Sequence, residues 1–337
     1  MPCQERELPQ SKSTGRQQGS STAKPRPAEQ VPEPKNAQEG YRTAYRMWSG
    51  GNQALAEMIL DYCRRRWPTD IRLAFFQAAC TRSRFEVREA APLFDQIARA
   101  APGSVEGRCS QAMLAIDGGR EADAGFAALR TLVQQNPTDT LALWMLAVTC
   151  RALKRNAEGV EYYRLLRQRI DGVGPVLVHQ TYANLLEELG RYQEALPERI
   201  LAIRTEPETW SVNALLQTLD TLHKYPELIE VASQAVQHFP NESIIWFKWG
   251  YALSKLGRRV EAEQKYRRVT QLDPANSTAW DNLGLLLEAA GRYNEAIAMY
   301  QRAITADPNN AQFRGDLAAL KDRLARSAAA PRLPGFK

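Results

Sequence analysis

Apolar and polar residues alternate with a helical period from about residue 37 onward, which predicts a series of amphipathic helices. Prolines interrupt this pattern at nearly constant spacing, with intervals of 34, 35, 70, 33, 34 and 34 residues. The interval of 70 is two periods from which one proline is missing. A period of this length is typical of stacked structural repeats. The prolines are Pro68, Pro102, Pro137, Pro207, Pro240, Pro274 and Pro308.

Each period contains signals for two helices. A Ser, Thr, Asp or Asn follows each of these prolines within two residues, as Ser104 follows Pro102, and these residue types cap helix N-termini. A second break falls about halfway through each period. It often contains a glycine, such as Gly257 or Gly291, which suits the tight end of a helix. The predicted unit is therefore helix, short turn, helix, short turn.

Small and large residues recur at fixed places within the period. The last period reads Trp280-x2-Leu283-Gly284-x2-Leu287, then Ala296-x3-Tyr300, then Pro308, and the period before it repeats this pattern. Small residues fit where two helices touch most closely, and large ones fill the gaps between them. Over residues 37–310 the pattern resembles that of the tetratricopeptide repeat family. The resemblance implies an all-α, right-handed superhelical α-solenoid of about eight helix-turn-helix repeats, in which each helical hairpin is stabilised by the next.

The repeat pattern also predicts the organisation of the whole chain. Residues 1–36 are rich in Pro, Gln, Ser and Glu, so we expect a disordered N-terminal arm. Residues 311–327 place Leu317, Leu320 and Leu324 on one face, which predicts a capping helix over the open end of the stack. Residues 328–337 are read as a loose tail. The eight predicted repeats are 37–70, 71–105, 106–139, 140–175, 176–208, 209–242, 243–276 and 277–310.

The distribution of charge argues against nucleic acid as the main partner. The chain has 44 Lys and Arg and 38 Asp and Glu, a net charge of +6. The excess lies in the two ends, because residues 37–310 contain 32 residues of each sign. Binding to a phosphate backbone needs concentrated positive charge, which a neutral body does not supply. No apolar run approaches the roughly 20 residues of a membrane span, and no secretory h-region is present, so neither is expected.

The sequence shows no group of residues that indicates catalysis or metal binding. The five cysteines are widely spaced and never form CxxC, which favours reduced thiols and a cytoplasmic location over disulfides or zinc. His179 falls at a packing position, so we expect a buried core histidine. Phosphate-binding, metalloprotease and nucleophile-elbow motifs are missing. We therefore expect no catalytic residues, no cofactor and no metal, and a protein that is not an enzyme.

The resemblance also implies where a partner binds. In this family the first helix of each repeat lines a concave groove, and positions 2, 5, 9 and 12 of that helix face it. Aromatic residues and arginine are frequent in binding hot spots, and amides are suited to hold an extended peptide backbone. The alternative is that the aromatics pack on neighbouring helices and the amides are solvated. The candidate residues are Tyr41, Tyr45, Trp48, Arg72, Phe75, Arg82, Trp144, Arg151, Gln180, Asn184, Trp210, Asn213, Gln217, Phe247 and Tyr251.

These observations predict a non-catalytic scaffold or adaptor that binds a peptide or helix of another protein in its groove. Two alternatives stay open, a helical-repeat RNA-binding protein and an accessory subunit of a separately encoded transferase. The sequence leaves the oligomeric state open.

The run Arg64-Arg65-Arg66 is read as a solvated helix end that complements the helix dipole, with a local anionic contact as the alternative.

Overall fold

The computed structural model describes residues 33–84, 86–170, 174–205 and 207–329, and within these ranges the regular structure is entirely helical. This confirms the predicted all-α fold of helical hairpins. The predicted arm up to residue 32 and the tail from residue 330 lie outside the described residues. The helices are α1 (Ala37–Ser49), α2 (Gln53–Arg66), α3 (Ile71–Ser83), α4 (Val87–Ala100), α5 (Val105–Gly118), α6 (Ala122–Gln135), α7 (Thr140–Ala152), α8 (Asn156–Arg169), α9 (Val176–Glu188), α10 (Tyr192–Thr205), α11 (Thr209–Thr221), α12 (Tyr225–His238), α13 (Ser243–Lys255), α14 (Arg259–Leu272), α15 (Ser277–Ala289), α16 (Tyr293–Ala306) and α17 (Ala311–Ala329).

The first helices of several hairpins begin at the caps that the sequence indicates. The side chain of Asp70 accepts a hydrogen bond from the backbone N–H of Leu73 at 3.0 Å, and that of Asp139 accepts one from Ala142 at 2.9 Å. Ser104 and Asn276 cap α5 and α15 in the same way. Each bond satisfies one of the N–H groups that a helix start leaves without a partner.

The second helices begin differently. At the starts of α8, α14 and α16 an arginine occupies the N-cap position and makes an ion pair with a glutamate three residues later. In α16 these residues are Arg292 and Glu295, whose Nη2 and Oε2 atoms are 2.6 Å apart. The glutamate lies in the first helical turn, where negative charge is favoured by the helix dipole. Arg191 and Glu194 repeat the pair at the start of α10.

In seven of the hairpins the described turn between the two helices contains one residue in the left-handed conformation. Gly190, Gly257 and Gly291 adopt φ values of +74°, +73° and +75° there, as the glycine pattern predicts. In two hairpins a residue with a side chain takes this conformation instead, at Lys154 (φ +57°) and His223 (φ +55°). The left-handed turn therefore recurs with and without glycine, and glycine is the residue that adopts it most easily.

The regular glycines and alanines let two helices of a hairpin approach closely. A Cβ atom added to Gly284 in α15 would lie 2.8 Å from Cε1 of Tyr300 in α16. Gly250 and Tyr266 are paired in the same way, with a corresponding distance of 3.2 Å. Both tyrosines are completely buried. Large rings therefore occupy the space that the missing side chains leave, as the sequence pattern indicates.

The described chain divides into two compact units, and the boundary between Ser211 and Val212 falls within α11. The N-terminal unit, with α1 to α10, has a core that runs from Ala44 to Ala195. The C-terminal unit, with α12 to α17, has its own core around Tyr266 and Tyr300. In this unit α17 packs on α16, and its Leu320 is buried.

Candidate functional site

Seven of the fifteen candidate groove residues are buried and do not present their side chains to solvent. These are Trp48, Phe75, Arg82, Trp144, Gln180, Phe247 and Tyr251. Five others are partly buried, namely Tyr41, Tyr45, Arg151, Asn184 and Asn213. Three are exposed, namely Arg72, Trp210 and Gln217.

In the N-terminal unit the inner faces of the first helices contact each other. The indole rings of Trp48 in α1 and Trp144 in α7 lie with their centroids 4.8 Å apart, and neither is accessible to solvent. Residues 141–150 of α7 are all buried, because α3 and α5 pack on this helix from the inside and α6 and α8 flank it. A helix that is apolar on all sides is stable only when it is surrounded. The surface predicted as a groove is here a hydrophobic core.

In the N-terminal unit the first hairpin contacts the segment just before α9. The N–H of Gly174, just before α9, donates a hydrogen bond to the carbonyl oxygen of Ser49 at 2.8 Å. Gly51, with φ +90°, lies in the turn between α1 and α2, and an added Cβ would come within 2.6 Å of Cγ2 of Thr205. The close approach excludes any side chain at this position. The turn after α1 therefore packs directly on the ends of α9 and α10.

Arg82 is held inside the N-terminal unit by an ion pair. Its Nε and Nη2 atoms donate to the carboxylate of Asp117 in α5 at 2.9 and 2.8 Å, and both side chains are buried. A bidentate pair of this kind satisfies both charges within the fold. Phe75 packs nearby in the core on Phe94, with ring centroids 6.1 Å apart. Both residues stabilise the unit and are not available to a partner.

The buried candidates of the C-terminal unit also have internal partners. The ring of Phe247 packs edge-on against Tyr266 at 5.6 Å between centroids. Tyr251 lies between the ring of Tyr225 and the ammonium group of Lys255, which is 4.8 Å from the ring centroid. Both rings therefore contribute to packing of α13, which is the alternative that the sequence left open.

A cluster of partly accessible side chains remains at one end of the N-terminal unit. The rings of Tyr41 and Tyr45 are stacked at 6.3 Å, and both rest on Phe76. Arg72 extends toward Glu106, with its Nε atom 3.7 Å from the carboxylate. Burial raises the pKa of Tyr41, and the negative charge of nearby Asp139 raises it further. Tyr41 therefore remains a neutral donor or acceptor at physiological pH.

Trp210, at the start of α11, is the exposed aromatic among the candidates, and 46% of its surface is accessible. In the C-terminal unit Gln217 is exposed and Asn213 is partly buried. Arg151 of the N-terminal unit is partly accessible but is paired with Glu188 at 3.2 Å.

The described residues contain no group of three or more His, Cys, Asp and Glu side chains that could hold a metal ion. The cysteines of this part of the chain are free and buried, and burial raises the pKa of Cys109 and of Cys150 to about 12. A thiol in this state is a poor nucleophile at neutral pH. His179 is buried, as expected, with its Nδ1 atom 2.5 Å from the carboxylate of Glu198.

A family model for the tetratricopeptide repeat matches residues 83–140 and 247–311. These two segments carry tetratricopeptide repeats. One matched segment lies in the N-terminal unit and the other in the C-terminal unit. No curated protein matches the chain. Between residues 33 and 329, apart from the gaps given above, the chain has no helix that is long and apolar enough to cross a bilayer.

Several solved structures are similar to this chain. YrrB, a TPR protein with an unusual peptide-binding site, has 19% sequence identity, covers 56% of this chain and 97% of its own, and gives a TM-score of 0.47. MamA 41-end from Desulfovibrio magneticus RS-1 has 15% identity, covers 51% and 96%, and gives 0.44. MamA MSR-1 has 19% identity, covers 50% and 97%, and gives 0.42.

One residue departs from the tetratricopeptide pattern in a way that the sequence analysis missed. In α10 the residue four positions after the small Ala195 is Arg199, where Tyr266 and Tyr300 stand in the C-terminal repeats. The arginine is buried and donates to the carboxylate of Glu187 in α9, with Nε–Oε1 at 3.0 Å and Nη2–Oε2 at 2.6 Å. The signal was present in the sequence, because a charged residue stands at an aromatic position.

Arg199 also engages the amides that were predicted to bind a peptide backbone. Its Nη2 atom donates to Oδ1 of Asn184 at 2.6 Å, and its Nη1 atom donates to Oε1 of Gln180. Arginine has donors only, so it fixes the orientation of both amides with their oxygens inward. Gln180 and Asn184 are therefore part of an internal network that keeps a buried charge satisfied. The division of the chain into eight repeats stays a prediction.

Proposed function

We propose that this protein is a non-catalytic interaction scaffold that binds a peptide or helix of a partner protein. Stacked helical hairpins form extended surfaces whose shape is set before binding. Side chains on such a surface lose little conformational freedom when a partner binds, which lowers the cost of association. The tetratricopeptide repeats in both units support this role.

The observation that carries the proposal is the exposure of Trp210. The side chain is at a position of the first helix that the family resemblance assigns to the groove, and nearly half of its surface faces solvent. Tryptophan is the residue type most enriched in binding hot spots, because its large ring buries much area with few rotamers. The neighbouring Ser211 in α11 is completely buried, so the backbone that carries the ring is held in place.

Gln217, in the C-terminal unit, is a separate candidate for a polar contact with a partner. Its exposed amide offers both donors and an acceptor, which suits the backbone of a peptide in an extended conformation. Unlike Gln180 and Asn184, it is not engaged by an arginine in the manner of Arg199. We expect Trp210 to contribute affinity and Gln217 to contribute orientation.

Selection of binders from a phage-displayed random peptide library, with the full-length chain as bait, tests this proposal. The best peptide is then titrated by isothermal calorimetry against the parent chain, Trp210→Ala and Gln217→Ala. We expect Trp210→Ala to weaken binding at least about tenfold, or roughly 1.4 kcal/mol, and Gln217→Ala to weaken it less.

Val260→Ala is the matched control, because this apolar side chain is 74% exposed in α14 and is not a candidate residue. Circular dichroism should show equal helicity for all variants. Equal affinity of Trp210→Ala and the parent would remove Trp210 from the site. A failure to select any peptide, together with salt-dependent binding of single-stranded RNA, would favour the RNA-binding alternative.

A further inference from the structure

The exposed face of α2 carries large apolar side chains beside arginines. Met58 is 65% exposed, and Tyr62, one turn later on the same side of the helix, is 37% exposed. Together with Asp61, Arg65 and Arg66 they line an open depression of about 490 Å³. Aromatic residues, methionine and arginine are the residue types that are enriched in protein interfaces. The composition of this face is therefore that of a binding surface.

An equivalent ion pair in the next second helix shows that the charges of α2 are not unusual by themselves. Arg65 in α2 is paired with Asp61 four residues earlier, and Arg99 in α4 is paired in the same way with Asp95. The two arginines stand at the same position in helices of equal length, and both side chains are 79% exposed. Such an exposed pair contributes little to stability, so its arginine can exchange one carboxylate for another at low cost.

The apolar residues distinguish α2 from the second helices that follow it. At the positions of Met58 and Tyr62, α4 has Pro92 and Gln96. Within the part of the chain that the structure describes, α4, α6 and α8 expose no large hydrophobic side chain. Arg66 adds a further exposed positive charge at the end of α2. The exposed methionine and tyrosine are therefore specific to α2 and do not follow from the stacking of hairpins.

The charge of the depression favours an acidic ligand. The residues that line it carry two positive charges, on Arg65 and Arg66, and one negative charge, on Asp61. Arg64 completes the arginine run of the last turn and donates from Nη1 to the carbonyl oxygen of Pro68 at 2.7 Å. Guanidinium groups pair with carboxylates through two parallel hydrogen bonds, which fixes the orientation of the ligand.

One carboxylate of this chain already binds at the edge of the face. The hydroxyl of Tyr62 donates a hydrogen bond to Oε2 of Glu33 at 3.2 Å. The face therefore accepts a carboxylate next to an apolar group, and the two arginines of the depression offer donors for further ones.

We propose that this face of α2 docks an acidic segment of a partner protein, with an apolar side chain of the segment against Met58 and its carboxylates paired with Arg65 and Arg66. The apolar contact contributes affinity, and the charge pairs select acidic segments over basic ones. The surface lies on a second helix and is distinct from the candidate position of Trp210 in the first helix α11.

Differential peptide selection tests the proposal. A phage-displayed random peptide library is selected on the full-length chain and, in parallel, on the double variant Met58→Ala/Arg65→Glu, and both pools are sequenced. We expect the peptides that the double variant loses to be acidic and to contain a large apolar residue. Val260→Ala/Arg99→Glu is the matched control, because it truncates another exposed apolar side chain and reverses the equivalent charge of α4. This control should retain the peptides.

Calorimetric titration of one such peptide measures the two contributions separately. We expect Met58→Ala to weaken binding about tenfold and Arg65→Glu to weaken it about fivefold. An increase in salt from about 0.05 M to about 0.5 M should weaken binding to the parent chain and have less effect on Arg65→Glu. Arg99→Glu and Trp210→Ala should leave the affinity unchanged, so this test is separate from that of the groove.

Several results would overturn the proposal. The first is a selection in which no peptide depends on residues 58 and 65, and the second is a set of dependent peptides that are basic or uncharged. Binding of phosphatidylserine vesicles that the double variant loses, without any dependent peptide, would assign the face to a membrane surface. A dimer of the parent chain that Met58→Ala dissociates, measured by analytical ultracentrifugation, would assign it to a second copy. Equal helicity of all variants by circular dichroism is the control for folding.

Discussion

The two units are built from the same hairpin, yet their first helices use the inner face differently. In the N-terminal unit α7 reads Leu-Ala-Leu-Trp-Met-Leu-Ala-Val-Thr-Cys over residues 141–150 and is buried without a break. In the C-terminal unit α13 contains Lys248 and ends with Ser254 and Lys255, and its buried positions are interrupted. The repeat spacing is shared. The same repeat spacing is therefore compatible with a first helix that is apolar throughout and with one that carries charged residues.

The polar groups of the inner faces show a second difference. Lys248 in the C-terminal unit makes a single contact of 2.6 Å with the carboxylate of Asp220. Arg82 in the N-terminal unit makes a bidentate pair with Asp117. The planar guanidinium group fixes the relative position of two helices more tightly than a single ammonium contact does. The charge pair of the N-terminal unit therefore has the stricter geometry of the two.

The largest effect is expected from Trp144→Ala. The substitution leaves a cavity between α1 and α7 and should lower the free energy of unfolding of the N-terminal unit by about 3–5 kcal/mol. Differential scanning calorimetry should show the loss as a shift of one transition. Phe247→Ala in the C-terminal unit is the matched change and should shift a different transition. A single shared transition that moves equally in both variants would contradict the independence of the two cores.

Replacement of Arg82 by methionine tests the closed inner face. Asp117 would be left buried without its counter-ion, at a cost of about 3 kcal/mol. The double variant Arg82→Met/Asp117→Leu removes both charges and should recover most of this loss. Urea denaturation of both variants measures the difference. If the double variant were as unstable as the single one, the pair would be required for packing and not only for charge balance.

Arg199 offers a test of intermediate size. Arg199→Ala leaves the carboxylate of Glu187 and the amide of Gln180 without their shared donor, and we expect a loss of about 2 kcal/mol. Arg199→Tyr restores the residue type found at this position in α14 and α16, and should cost less than about 1.5 kcal/mol. Thermal denaturation monitored by circular dichroism compares them. If Arg199→Tyr had a lower melting temperature than Arg199→Ala, the space around residue 199 would fit arginine and not tyrosine.

The smallest effect concerns the ion pairs at the starts of the second helices. A hydrogen bond from Arg292 lowers the pKa of Glu295, and one from Arg258 does the same for Glu261. A carboxyl group with a lowered folded-state pKa stabilises the fold above its unfolded-state value of 4.5. That contribution is lost as pH falls through the lowered value. Melting temperatures of the parent chain should therefore stay level from pH 7 to pH 5 and fall below about pH 4.5.

Glu295→Gln is the control for this pH dependence. Its melting temperature should be slightly below that of the parent at pH 7, and the difference should vanish once the carboxyl group is protonated in both states of the parent. A difference that persists at pH 3 would assign the effect to packing of the side chain instead of its charge.

Local features of the fold were predictable because neighbouring residues determine them. The caps at Asp70 and Asp139 and the left-handed glycines depend on a few positions in the sequence. The accessibility of the groove residues was not predictable in this way. Trp48 is buried because it packs on Trp144, which lies about a hundred residues later in the sequence. The distance between the two rings depends on the curvature of the whole unit. Small deviations in the packing angle of each hairpin accumulate over several repeats, and no single residue determines their sum.

The hydrogen bond from Gly174 to Ser49 limits how the N-terminal unit can change during evolution. In an open array, duplication or deletion of one hairpin lengthens or shortens the molecule and leaves other contacts intact. Here the first hairpin meets the segment before α9, so any gain or loss of a hairpin between them would separate these two ends. The number of hairpins from α1 to α8 is therefore constrained by geometry, whereas a stack that does not meet itself is free to vary in length.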